Sequence, residues 1–98
     1  MSFQIEFTPD AVDDVRSFRK HEQRQIIEAV ERQLAHLPIE ETRNRKKLRP
    51  NELAEWELRI GKFRVFYDVD TGAKRVKIEA VGWKKGSRLF IRKREYEL

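Results

Sequence analysis

Residues 56–69 read Trp56-Glu57-Leu58-Arg59-Ile60-Gly61-Lys62-Phe63-Arg64-Val65-Phe66-Tyr67-Asp68-Val69, and this stretch decides the fold. Trp56, Leu58 and Ile60 alternate with Glu57 and Arg59. A period of two is that of a half-buried strand, whose side chains point to opposite faces in turn. Gly61-Lys62 then interrupts the pattern for two residues, the signature of a tight hairpin turn of II′ type. Phe63, Val65, Tyr67 and Val69 resume the alternation against Arg64, Phe66 and Asp68. Asp70-Thr71-Gly72 supplies the next turn. Val76, Ile78 and Ala80, alternating with Lys77, Glu79 and Val81, predict a third antiparallel strand.

Upstream the period changes. Phe3, Ile5 and Phe7 alternate with Gln4 and Glu6, which predicts a short strand. Thr8-Pro9-Asp10 is a helix start: Thr8 caps, Pro9 suits the first helical position, and Asp10 favours the positive end of the dipole. Ala11, Val15 and Phe18 share one helical face. A second helix is predicted over 22–37, with Ile26, Ile27, Val30, Leu34 and Leu37 as its apolar stripe. Pro38 discourages continuation, and Glu28 and Arg32 are spaced to pair on the wet face. Residues 39–54 lack a period and read as a loop, and 84–98 read as a short tail.

The order β-α-α-β-β-β plus a short C-terminal tail defines an α+β fold, a helical hairpin packed on an antiparallel sheet. Covering one sheet face with helices leaves the other open, carrying Arg59, Arg64 and Lys77. The 98 residues allow one domain, spanning 1–98, with one modest core. There is no cysteine, which excludes disulfides, thiolate zinc sites and a Cys nucleophile. His21 and His36 fall on the helices and read as structural. Two separated histidines and scattered acids lack metal-ligand spacing, so no metal or other cofactor is expected. The first residues lack the basic and apolar regions of a signal peptide, and no apolar run reaches membrane-spanning length. A cytoplasmic protein without a membrane partner is expected.

Charge is abundant and uneven. Lys and Arg total 22 against 17 Asp and Glu, a formal charge of +5. Residues 43–49 and 84–94 hold eleven of those bases and no acid. Cations gathered on one surface neutralise phosphates and release counterions, which favours a nucleic-acid partner over mere solvated loops. Trp83, Phe90 and Tyr96 lie among these bases, where aromatic rings either stack on exposed nucleobases or close the core.

The hairpin at 56–69 resembles the central hairpin of the RelE/ParE superfamily of type II toxins. Lys47-Leu48 before a short polar loop is similar too, as is Ala80-Val81-Gly82-Trp83-Lys84-Lys85, where the family has Val-Gly followed by basic residues. The resemblance covers most of the chain. It implies the RelE-like fold and a toxin held inactive by a cognate antitoxin. In the RelE branch, favoured here, the toxin enters the ribosome and cleaves mRNA, inhibiting translation. In the ParE branch it inhibits DNA gyrase. A catalytically degenerate, antitoxin-binding protein is a further reading.

Metal-independent RNA cleavage starts with the 2′-OH attacking the adjacent phosphate in line. It needs a base, cations for the phosphorane and an acid for the leaving oxygen. By resemblance Arg64 matches the family arginine of the second hairpin strand, and a guanidinium grips phosphate oxygens bidentately; the plain alternative is an exposed salt bridge to Glu57. Lys84 matches the basic position after Val-Gly, with Lys85 as neighbour. The RelE branch carries two lysines in the first hairpin strand, where this chain has Glu55 and Glu57. The branch's tail tyrosine falls near Phe90, so either Tyr96 replaces it or the chemistry is altered. The catalytic expectation is therefore Arg64, Lys84, Lys85 and Tyr96. The RNA-binding expectation is Arg45, Lys46, Lys47, Arg49, Arg59, Arg88, Phe90 and Arg92. An open basic sheet also suits an acidic amphipathic antitoxin segment that folds on it.

Overall fold

The computed structural model describes residues 2–98. Strand β1 (Gln4–Phe7) leads through Thr8 into helix α1 (Pro9–Arg16). The Thr8 hydroxyl accepts the Ala11 N–H at 3.1 Å, meeting one of the donors that a helix start leaves open. Helix α2 (Lys20–Leu34) follows, and Glu22 in its first turn accepts the Arg19 N–H at 3.1 Å. Ile26, Ala29, Val30 and Leu34 face the sheet and are buried. The helix ends three residues short of Leu37. Leu37 therefore stays 56 % exposed, and Ile27 is 38 % exposed on the outer side.

The rest of the described chain is sheet: β2 (Arg45–Lys47), β3 (Trp56–Ile60), β4 (Phe63–Asp70), β5 (Arg75–Lys85), β6 (Arg88–Ile91) and β7 (Arg94–Tyr96). The seven strands run in the order β2-β3-β4-β5-β6-β7, with β1 beside β5. Every pairing is antiparallel except β1 on β5, because the two helices return the chain in parallel. At the β3–β4 turn only Gly61 takes a positive φ, +55°, as a II′ turn requires.

Two expectations are corrected. Residues 39–54 are not loop throughout, since Arg45–Lys47 pairs with β3. The tail is not a tail but the hairpin β6–β7. A third correction concerns the face opposite the helices, which is not bare. Trp56, Leu58, Ile60, Phe63, Val65 and Tyr67 join the helices in one core. Phe66, Ala80, Leu89, Ile91 and Ala54 make a second core on the far face, with Leu48, Leu53 and Tyr96 packed against it.

The bulge in β5 explains how one strand feeds both cores. Phe66 pairs with Ala80 while Tyr67 pairs with Ile78, so Glu79 is the extra residue. Past it the alternation inverts. Ala80 turns to the far face and Val81 joins the helix-side core, the reverse of a uniform period of two. Gly82 permits the close approach of β6, because a Cβ there would collide with the Phe90 carbonyl and the Ile91 side chain.

Candidate functional site

The far face carries a groove of about 500 Å³ between β2–β3 and the C-terminal hairpin. Its lining includes Lys46, Glu57, Arg59, Lys84, Arg88 and Tyr96. Sheet register brings these distant positions together. Lys46 lies opposite Glu57, Arg59 opposite Arg64, Arg64 opposite Gly82 and Lys84 opposite Leu89. The row Arg59–Arg64–Gly82 thus crosses three strands at one level, with Lys84 two residues beyond Gly82.

Arg64 is buried, 7 % exposed, where alternation alone predicts a solvated side chain. Its Nη1 donates to the Gly61 carbonyl at 2.7 Å and the Phe63 carbonyl at 2.8 Å. The alternative reading, a salt bridge to Glu57, does not form. Its Nε is buried with no hydrogen-bond partner. Burial, and then the Arg59 charge, lower its pKa from the usual guanidinium value, while Glu57 opposes them. A guanidinium remains charged all the same. The result is a cation held through its Nη1, with one buried N–H, that of Nε, unmet.

The other expected residues divide. Lys46, Arg59, Lys84, Arg88 and Tyr96 line the groove with Glu57, Glu95 and Glu97. Arg88 is held by Glu95 at 2.8 Å and lies over the Phe90 ring at 5.3 Å. Mutual hydrogen bonding and charge lower the Glu95 pKa and raise that of Arg88. Lys47 and Arg49 line a neighbouring hollow around residues 48–55, with Glu52, Glu55 and Asp68. Lys85 is exposed at the end of β5.

Three expected RNA contacts are spent elsewhere. Arg45 lies opposite Leu58, on the helix side, and donates to the Glu40 and Gln33 carbonyls near the end of α2. Phe90 stacks on Trp83, with centroids 4.7 Å apart, so both rings serve packing. Arg92 reaches α1, with its Nε 3.0 Å from Asp14 Oδ1. Long side chains have reach enough that a basic run does not say which surface each member joins. Ser87 in the groove was not anticipated from sequence, although Gly86-Ser87 between alternating runs repeats the turn signal of Gly61-Lys62. Among the described residues no cluster of His, Cys, Asp and Glu is suited to hold a metal, and no helix is long and apolar enough to cross a membrane.

A helical hairpin on one face of a mostly antiparallel sheet, with a groove of mixed charge on the other, has the architecture of the RelE/ParE-type toxin fold. The family model described as the ParE toxin of the type II toxin–antitoxin system parDE matches residues 5–86, and the chain belongs to that family. Solved structures agree on the fold. In the RelBE2 toxin–antitoxin complex from Mycobacterium tuberculosis, a similar chain is 23% identical with a TM-score of 0.75, covering 86% of this chain and 100% of that one. In the archaeal RelE–RelB complex from Pyrococcus horikoshii OT3, the match is 24% identical with a TM-score of 0.58, covering 80% and 90%. No curated protein matches the chain.

Proposed function

We propose that this chain is the toxin of a cytoplasmic type II pair, and that it acts on mRNA at the ribosome as a metal-independent endoribonuclease working in the far-face groove. The observation that carries this is the cross-strand pair Arg59–Arg64, with Arg64 buried and its Nε unmet, at the level of Gly82 and next to a groove of about 500 Å³ lined by Lys46, Arg59 and Lys84. Arg64 and Lys84 stabilise the phosphorane charge. Glu57, within electrostatic range of Arg64, takes the 2′-OH proton. Tyr96 on the opposite wall donates to the leaving oxygen. Lys46 and Arg59 hold flanking phosphates.

The test is expression of the protein followed by mapping of new mRNA 5′ ends. Discrete cleavage sites that vanish in Arg64→Met support the reading, and growth arrest with intact mRNA rejects it. The family match over 5–86 favours a second reading, inhibition of DNA gyrase, which needs no proton-transfer groups. Loss of supercoiling activity in a purified gyrase assay would replace the first reading with that one.

Under either reading the partner is a cognate antitoxin with an acid-rich amphipathic segment that folds over part of the basic surface. Titration with the product of the adjacent gene should release heat and raise the melting temperature. A flat titration excludes that partner.

A further inference from the structure

The hairpin β6–β7 turns on Arg92-Lys93, between the paired residues Ile91 and Arg94. Both turn residues are left-handed, with φ of +51° and +66°. Two positive φ values in a two-residue loop define a I′ turn, which strongly favours Asn-Gly or Gly-Gly. Arg and Lys there are strained, and neither side chain helps the turn locally. Something outside the turn must account for them.

Arg92 has that outside contact. Its guanidinium reaches helix α1, 3.0 Å from Asp14 Oδ1 and 3.7 Å from Asp10 Oδ2, and donates to the Glu79 carbonyl at 3.3 Å. The Asp14 side chain is only 2 % exposed, and its other oxygen accepts the Val81 N–H at 2.9 Å. One arginine thus joins the tip of the hairpin to the first helix and to the β5 bulge. It does so across the wall of a hollow of about 580 Å³ that also contains Phe18, Lys62 and Trp83.

The same hairpin builds one side of the groove on the far face. Leu89, Ile91 and Tyr96 pack on the second core, and Leu89, Glu95 and Tyr96 line the groove. Residues 87–98 lie beyond the stretch matched by the family model.

We propose that Arg92 is a positioning residue: docked on Asp14 and Asp10, it clamps the β6–β7 hairpin to the sheet and thereby holds Tyr96 at the groove. The clamp itself follows from the contacts above. Its consequence for chemistry rests on the reading of the groove as the RNA site. Arg92 touches no part of the groove and acts only through the hairpin.

The test replaces the strained turn by a better one. Arg92→Asn with Lys93→Gly installs preferred I′ chemistry and removes the clamp. If Arg92 served only the turn, the amides of 88–96 would exchange with solvent more slowly, or unchanged, and the proposal would fall. With the clamp they should exchange at least about tenfold faster, while β3 and β4 keep their protection. Trp83 fluorescence should shift as its stacking on Phe90 loosens. Because Asp14 is left buried and unpaired, the same pair of changes is also made with Asp14→Asn, whose side-chain oxygen still accepts from Val81. Arg92→Lys, which keeps the charge at Asp14, should restore much of the protection.

Activity supplies the second readout. RNA cleavage by the Arg92→Asn, Lys93→Gly protein should fall to the level of Tyr96→Phe, and adding Tyr96→Phe to it should cost nothing more. A further, multiplicative loss would show that Arg92 does not act through Tyr96. If the unaltered protein cleaves no RNA yet hairpin exchange responds as described, the clamp stands and the RNA reading falls.

Discussion

Replacing Arg64 by Met separates what the guanidinium does for the fold from what it does for a ligand. Met nearly matches the stem in volume, so no large cavity forms. Lost are two hydrogen bonds from a charged donor, to the Gly61 and Phe63 carbonyls; bonds to charged groups contribute about 1.5–3 kcal/mol each. Gained is relief from burying a charge that is 7 % exposed and carries one unmet N–H. The Gly61 carbonyl lies in an exposed turn and rehydrates on loss of its donor. The net loss should be about 1–2 kcal/mol, a fall in Tm of roughly 4–15 °C for a domain of this size. Binding should suffer more. A phosphate gripped by a fixed arginine is worth about 2–4 kcal/mol, or roughly 30- to 1000-fold in affinity. One neutralised phosphate fewer should also flatten the slope of log K against log salt by about 0.7 for a single strand. Titration of an oligoribonucleotide by fluorescence anisotropy at several salt concentrations reads both quantities, with thermal melts run alongside. A folded Arg64→Met protein whose affinity stays within twofold and whose salt slope is unchanged would refute the placing of a phosphate at Arg64.

Glu79 is half-buried next to Asp68, and burial, then Asp68, raise its pKa. The folded state therefore binds its proton more tightly than the unfolded chain does, and stability is lost as pH rises between the ordinary and the raised value. Glu79→Gln should melt higher than the parent at pH 7, and the gap should close below about pH 4, where the parent carboxyl is protonated in both states; an equal Tm at neutral pH would contradict this. Gly82→Ala should lower stability by about 2 kcal/mol or more, because its Cβ meets the Phe90 backbone and β6 must shift; a urea titration measures it, and amide exchange should place the disturbance in the hairpin. Val30→Asp puts an unpaired charge at a fully buried position of α2 and should abolish the folded far- and near-ultraviolet circular dichroism.

The parts of the fold that were legible are those whose signal is local. Alternation around Gly61-Lys62 defined β3 and β4, and Thr8-Pro9-Asp10 defined the start of α1. What escaped is set by tertiary contact. Arg45-Lys46-Lys47 has no apolar period, and it is extended because β3 offers it an edge. The last hairpin was hidden because Arg92-Lys93 is poor turn chemistry, stabilised by a helix some eighty positions earlier in the chain. The bulge at Glu79 moved Ala80 and Val81 to faces opposite those of a simple period. The groove was half legible. Alternation aimed Arg59 and Arg64 to one side, as their cross-strand pairing bears out, but Lys46 and Lys84 fell in stretches read as loop and tail, and alternation could not foresee a second core on that face. Arg45 and Arg92 sit in the same basic runs as the groove cations, and nothing in their neighbours distinguishes a structural arm from a solvated one.

Asp14 and Arg64 are the only buried charged side chains among the described residues, and the difference between them carries the functional argument. A domain selected for stability alone would do as well or better with apolar groups at both positions. Asp14 has a structural account: one oxygen accepts the Val81 N–H and the other, without a hydrogen bond of its own, lies 3.0 Å from the Arg92 Nε as an ion pair, joining a helix, a strand and a hairpin that share no sequence neighbourhood. Arg64 has no such counter-ion. Two carbonyls fix its Nη1, its Nε has no partner, and Arg59 stands beside it as a second cation that makes its charge costlier. A fold has no structural use for two adjacent cations, one of them desolvated and incompletely hydrogen-bonded. An anion bound at this pair would supply the opposite charge that both lack.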